Sequence, residues 1–350
     1  MHSFFLVLLC GLLCVSWFGS TTPEAIPIVT SNKGTPLAMI EIQGEKYPLK
    51  LDLGAKAFLM LDQSLISKID LTKYGSTKWI DLRGNAYQTP RYLASKIKIG
   101  RTVFNDVLLE EQPVEFSQNT FFFIPNTIQK IKTEKSKTIN NEPMDYTQQM
   151  SVEGNATMGA IGRPILKRKN LLLDFPHKRF YLLQDNHSLK DCGICLEKMI
   201  KVPFIKSQSG IVFSIKTDLG ELRFLLDTGT TLTLIRASLL ENHVQRSDWD
   251  TKNRVKPLQL NPDKKDSSLD QMTNEGEAFQ NSRNPTKPLV TAFETQKFAI
   301  SGVDLGKSLL YAFELSEEIS DIDGVLGMDF LGLHQIYIDY FNSTLYLSER

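Results

Sequence analysis

The chain is 350 residues long, with 40 Lys plus Arg against 40 Asp plus Glu and 41% apolar residues. That length suits two domains of ordinary size, each with a real core. The zero charge balance gives no electrostatic basis for a nucleic-acid partner or an anionic membrane surface. In chain order, residues 3–23 carry no charged side chain, and 4–18 are strongly apolar before the small residues Gly19, Ser20, Thr21 and Thr22. Residues 1–22 read as an export signal or, since the uncharged stretch approaches bilayer length, as a single-span membrane anchor. Either reading predicts an exported chain: secreted, periplasmic or membrane-tethered.

Beyond that segment, residues 23–184 form one expected lobe, 185–200 a polar link, and 201–350 a second lobe. Strand signals dominate both lobes. Runs such as 38–42, 93–99, 211–215 and 297–300 are alternating or β-branched and bounded by turn formers. Matched hairpins are predicted at 99–104 and 300–305, and helical signal is confined to short pieces near 62–68 and 236–242. Residues 112–153 and 241–287 interrupt the pattern. The second of these is polar and is predicted to be mobile, because it has too little apolar surface to offset the entropy of ordering. Cys192 and Cys195 form a Cys-x-x-Cys in the link. In an oxidising compartment this reads as a local disulfide or two spare thiols. The strand-to-helix context of a redox pair is missing, and His187 alone does not complete a zinc site.

The most informative feature is an internal duplication. Leu49-Lys50-Leu51-Asp52-Leu53-Gly54-Ala55 is echoed by Phe224-Leu225-Leu226-Asp227-Thr228-Gly229-Thr230. Each copy is followed by an apolar-apolar-Gly segment, ending at Gly162 and Gly327, and then by an aspartate closing an apolar strand, Asp174 and Asp339. The last two pairs are both 165 apart (327−162 and 339−174), whereas Asp52 and Asp227 are 175 apart (227−52), so the middle of each copy differs in length. The period is too long for a solenoid and fits a duplicated lobe. Asp174, Asp339, Asp323 and Asp329 read as structural turn and strand-end residues.

Two such half-sites let two carboxylates meet across a pseudo-twofold axis, share one proton, and act as acid and base on one water. On these motifs the chain resembles the pepsin-like and retroviral-type aspartic proteases over nearly everything after the first segment. The resemblance implies an all-β, bilobal fold with a cleft between two barrel-like lobes. It also implies catalytic aspartates at Asp52 and Asp227, and a hairpin flap closing over a bound peptide. Gly54 and Gly229 are expected to let the turns pack tightly. Thr228 is expected to cross-link the turns, and Thr230 to hydrogen-bond Asp227. Tyr87, in the strand–turn–strand segment 80–89, is the candidate flap tyrosine. No metal or cofactor is required.

The first half-site departs from this pattern, with Leu53 where the family has Thr or Ser and Ala55 where pepsin-like lobes have Ser or Thr. Because Thr230 serves Asp227 and nothing matches it beside Asp52, the shared proton is expected on Asp52. The expected function is an aspartic endopeptidase acting, as a monomer, on extended peptides. The alternative is a catalytically silent peptide-binding or scaffold protein, suggested by Leu53.

Overall fold

The computed structural model describes residues 22–31, 34–113, 158–183, 189–240, 255–257 and 291–349. Residues 1–21, on which the export reading rests, and nearly all of the 112–153 and 241–287 insertions lie outside these. The fold is all-β in two related lobes, as expected. In the first half the strands are β1 (Ile26–Thr30), β2 (Pro36–Ile42), β3 (Glu45–Asp52), β4 (Leu59–Leu61), β5 (Thr72–Ile80), β6 (Ala86–Ile99), β7 (Thr102–Glu111), β8 (Gly159–Gly162), β9 (Asn170–Asp174) and β10 (Arg179–Leu183). The second half has β11 (Met199–Pro203), β12 (Ile205–Lys206), β13 (Ile211–Thr217), β14 (Gly220–Leu226), β15 (Leu234–Arg236), β16 (Val255–Pro257), β17 (Thr291–Thr295), β18 (Phe298–Ile300), β19 (Val303–Asp304), β20 (Ser308–Phe313), β21 (Gly324–Leu326), β22 (Gln335–Asp339) and β23 (Thr344–Ser348). The helices are single turns: α1 (Gln63–Ile66), α2 (Arg163–Leu166) and α3 (Met328–Leu331). The helical turn predicted after Arg236 is present at 237–240, where the described residues stop.

Period-two alternation explains the strands. In β2, Ala38, Ile40 and Ile42 are buried while their neighbours are half-exposed. In β3, Leu49 and Leu51 enter the core, which leaves Lys50 and Asp52 together on the opposite face. In β14, Phe224 and Leu226 join the same large cluster, while Leu225 joins a smaller one with Val212, Leu232 and Val325. The predicted hairpins close at Ile99↔Thr102 and Ile300↔Val303.

Both halves are wired alike around the aspartate. In the first, β3 runs parallel to β8 (Leu51↔Ile161, Asp52↔Gly162), β8 pairs antiparallel with β4, and β4 runs parallel to β7. In the second, β14 runs parallel to β21 (Leu226↔Leu326), β21 pairs antiparallel with β15, and β15 runs parallel to β20. The chain therefore leaves the aspartate-bearing strand, turns, and returns two places along the sheet. The apolar-apolar-Gly strand fills the gap between.

A six-stranded sheet, in the order β11-β23-β22-β9-β10-β1, joins the halves. At its centre Leu172 pairs with Tyr337, its own counterpart in the repeat (337−172 is 165). Leu171 pairs with Ile338 and Leu173 with Ile336, so exchanging the copies exchanges the pairs. An antiparallel ladder in which one residue meets its own duplicate has a twofold axis through that pair.

Asp174 reinforces this seam. Its buried carboxylate binds His177 Nδ1 at 2.7 Å, accepts from Arg179 Nε at 2.9 Å, and accepts from Gln335 Nε2 of the other half at 3.1 Å. Burial by itself would raise this carboxyl, but the bonds from His177, Arg179 and Gln335 outweigh burial and hold it below the ordinary range. Its stabilising effect is present above the unfolded carboxyl's ordinary value, 3.8, and is lost as pH falls through the lower folded value. Asp174→Ala is expected to lower unfolding free energy by about 2 kcal/mol at pH 7, with the gap closing at strongly acid pH in denaturant melts. A gap that stays constant down to the acid end would contradict the assignment.

Candidate functional site

The two aspartates end equivalent strands, and the turns after them face each other across the pseudo-twofold. Asp52 and Asp227 are 8% and 7% exposed, so both are desolvated without being sealed off. A methyl group built on Gly54 would stand 2.5 Å from Asp227 Cγ, and one on Gly229 would overlap the Asp52 carboxylate. Each glycine is thus the floor on which the opposite half's carboxylate rests. Neither lies in the left-handed φ region, so close approach and not backbone twist requires glycine here. This reciprocal seating brings residues 52 and 227 together.

Backbone amides complete the cradle. Ala55 N–H donates to Asp52 Oδ1 at 2.9 Å. Gly229 N–H and, from the other half, Gly54 N–H donate to Asp227 Oδ1 at 2.8 and 3.2 Å. Thr230 Oγ1 lies 2.6 Å from Asp227 Oδ2. Beneath each turn the segment after the apolar-apolar-Gly strand clamps it: Arg163 N–H donates to Ala55 O at 3.1 Å, and the matching Met328 N–H to Thr230 O at 2.8 Å.

The cross-link at Thr228 is present, and it is one-sided. Thr228 Oγ1 donates to Leu51 O at 2.7 Å and accepts from Leu53 N–H at 3.1 Å. Leu53, at the matching place, has no hydroxyl to return the bond, and its side chain is buried in the main cluster instead. One hydroxyl therefore stitches the two turns where the pattern calls for two.

Sequence reasoning missed Lys50. Two residues before Asp52 on the same face of β3, its Nζ lies 2.9 Å from Asp52 Oδ2. The signal was a period-two pairing within the half-site motif, where the second copy has the buried, apolar Leu225. Burial would lower the Lys50 ammonium, but the Asp52 carboxylate outweighs it and holds the group above its ordinary value. Burial and the neighbouring Asp52 charge push Asp227 up to about 6, against the pull of Thr230, Lys50 and Gly229. The lysine beside Asp52 and the raised Asp227 both weigh against the expectation that Asp52 carries the shared proton. That expectation counted Thr230 and overlooked the lysine.

The 80–89 segment forms the hairpin of β5 and β6, with Tyr87 stacked on Trp79 at 4.7 Å between centroids and its hydroxyl 3.3 Å from Asp81 Oδ2. The hairpin tip reaches the second half. Leu82 O accepts from Ser316 N–H at 2.9 Å, Leu82 packs on the cluster containing Leu225, and Arg83 lies over Phe313. Asp323 and Asp329 act as turn braces, Asp323 through Arg223 and Asp329 through Thr233. Cys192 is a buried free thiol; Cys195 is exposed, and its Sγ lies 3.0 Å from Glu197. Among the described residues no group of three or more His, Cys, Asp or Glu is placed to hold a metal ion.

No protein-family description matches the chain, and no curated protein matches its sequence. Among solved structures it is similar to an aspartic proteinase from Irpex lacteus at 11% identity and a TM-score of 0.48, covering 93% of this chain and 97% of that one. It is also similar to basic 7S globulin from soybean (9% identity, TM-score 0.46, 93% and 96% covered). A third is conglutin gamma, a basic 7S globulin from lupine seeds (10%, 0.48, 94% and 95%). At such identity and overlap these likenesses carry no weight, and the site stands on its own geometry.

Thr228→Val keeps the shape and strands the Leu51 carbonyl and Leu53 amide in the interior. The expected cost is about 2–3 kcal/mol in urea denaturation. A loss under about 0.5 kcal/mol would mean that the hydroxyl does not stitch the turns.

Proposed function

We propose that this chain is an aspartic endopeptidase that hydrolyses peptide bonds with a water held between Asp52 and Asp227. The observation that carries this is the reciprocal seating of each carboxylate on the other half's glycine, with amide donors on both acids. Two adjacent buried carboxyls resist double ionisation and so share one proton. One carboxylate takes a proton from water as its oxygen attacks the carbonyl carbon, while the other gives its proton to the carbonyl oxygen. In the resulting gem-diol, the acid that now holds the proton gives it to the amide nitrogen as the C–N bond breaks, while the other carboxylate takes a proton from a gem-diol hydroxyl, so the products are a carboxylic acid and an amine and the pair again holds one proton.

An extended peptide would lie between the halves through main-chain hydrogen bonds, with apolar side chains in flanking pockets. The β5–β6 hairpin serves as the flap in this reading, with Tyr87 as its candidate tyrosine. In this reading residues 1–22 act as an export signal or membrane anchor, and the enzyme works as a monomer. Catalysis needs one protonated carboxyl, so with Asp227 at about 6 the rate should fall as pH rises through about 6.

One observation favours a second reading, a silent peptide-binding protein on the same frame: the first turn has no hydroxyl, since Leu53 faces the core. A peptide library offered from acid to neutral pH, with binding measured in parallel, separates the two. Cleavage by the unaltered chain, lowered about 10²–10⁴-fold in Asp227→Asn, supports the enzyme. Cleavage undiminished in Asp227→Asn overturns it, and binding with no cleavage by either protein establishes the silent reading.

A further inference from the structure

We infer that Lys50 is a positioning residue of the dyad: its ammonium keeps Asp52 ionised, making Asp52 the base that accepts the water proton and Asp227 the acid that protonates the carbonyl oxygen. The acid and base roles rest on the endopeptidase reading; the ionisation of Asp52 does not.

Hydrogen-bond chemistry separates the two carboxylates. On Asp227 the Oδ2 position is met by the Thr230 hydroxyl, and on Asp52 it is met by Lys50 Nζ. A hydroxyl can donate to a carboxylate or turn and accept from a carboxylic acid, so Thr230 suits either state of Asp227. An ammonium has donors only and cannot accept from a protonated acid. The remaining oxygen of Asp52 is held by the Ala55 amide, another donor. Both oxygens of Asp52 therefore face donors, a setting that favours the anion, since the acid's O–H finds no acceptor in either group. The first half has Ala55 where the second has Thr230, and the lysine occupies the oxygen left open by that missing hydroxyl.

Burial sharpens the effect. The Lys50 side chain is 26% exposed and that of Asp52 11%, so solvent screens this pair far less than a surface ion pair. Among the described residues few charged groups lie around Asp52. Lys50 comes from its own strand and Asp227 from the opposite turn. Arg163, at the start of α2 beyond β8, is turned toward Ser209 O at 2.8 Å, though its charge also reaches both acids. β2, which pairs with β3, carries one charged residue, Glu41, and that is bonded to Lys98; β4 brings only Leu59, Met60 and Leu61. Among the described residues Lys50 is the cation bonded to the dyad. Its counterpart Leu225 shows that an apolar side chain fits this register, so the fold does not require an ammonium there.

The test uses ¹³Cγ-aspartate titration, which reads ionisation whether or not turnover occurs. In an Asp227→Asn background Asp52 titrates without its partner, and adding Lys50→Leu should raise its midpoint by about 1 pH unit or more. Lys50→Arg, which restores a donor-only cation, should return it close to the Asp227→Asn value. In the intact dyad the acid limb of kcat/KM should move up in Lys50→Leu and stay near wild type in Lys50→Arg. An unchanged Asp52 midpoint in Lys50→Leu, or a shift as large in Lys50→Arg, overturns the inference. If no peptide is cleaved, the titration still decides the role of Lys50, so an idle assay counts against the endopeptidase reading alone.

Discussion

Two buried carboxylates placed against one another are the constraint on which the rest of this structure depends. Each acid is costly to desolvate, and the second charge is costlier than the first. The site offsets that cost with amide donors delivered by turns that can approach only because Gly54 and Gly229 lack a Cβ. The turns keep their shape because the chain returning after Gly162 and Gly327 clamps them through backbone bonds. The parallel insertion of β8 and β21 beside the aspartate strands thus has a direct chemical consequence: it fixes where the acids point.

The twofold symmetry that brings the acids together is held in the β9–β22 ladder. A residue paired with its own duplicate leaves no freedom in register, because a one-residue slip would turn Leu171, Leu173, Ile336 and Ile338 away from the core. The side chains around the acids have meanwhile diverged. Lys50 stands against Leu225, Leu53 against Thr228, and Ala55 against Thr230. Those three differences fall within three residues of an aspartate, so they act on its charge and rigidity without disturbing the frame. A symmetric backbone carrying an asymmetric set of donors is what lets chemically identical acids take different protonation states.

Much of this was legible in the chain. The doubled Asp-x-Gly, the two apolar-apolar-Gly segments and the constant offset of 165 identified a duplicated β lobe, because backbone symmetry leaves a register in the sequence. Leu53 and Ala55 marked the first half-site as unusual. Lys50 was passed over, although it sits inside the quoted motif, because its role depends on a period-two contact within a strand whose ends had still to be assigned. The contact of the hairpin tip with Ser316 was equally hidden: Leu82 and Ser316 are far apart in the chain, and nothing local predicts their meeting.

By itself, then, the sequence determined the class of fold, its duplication and the identity of the two acids, since each of these is written in local pattern and repeat spacing. Only the tertiary structure decided which donors each carboxylate receives. Those donors come from the opposite half, from a returning strand and from a neighbour on the same strand face. Their relative strengths depend on distance and burial, which exist only once the two halves are closed on each other.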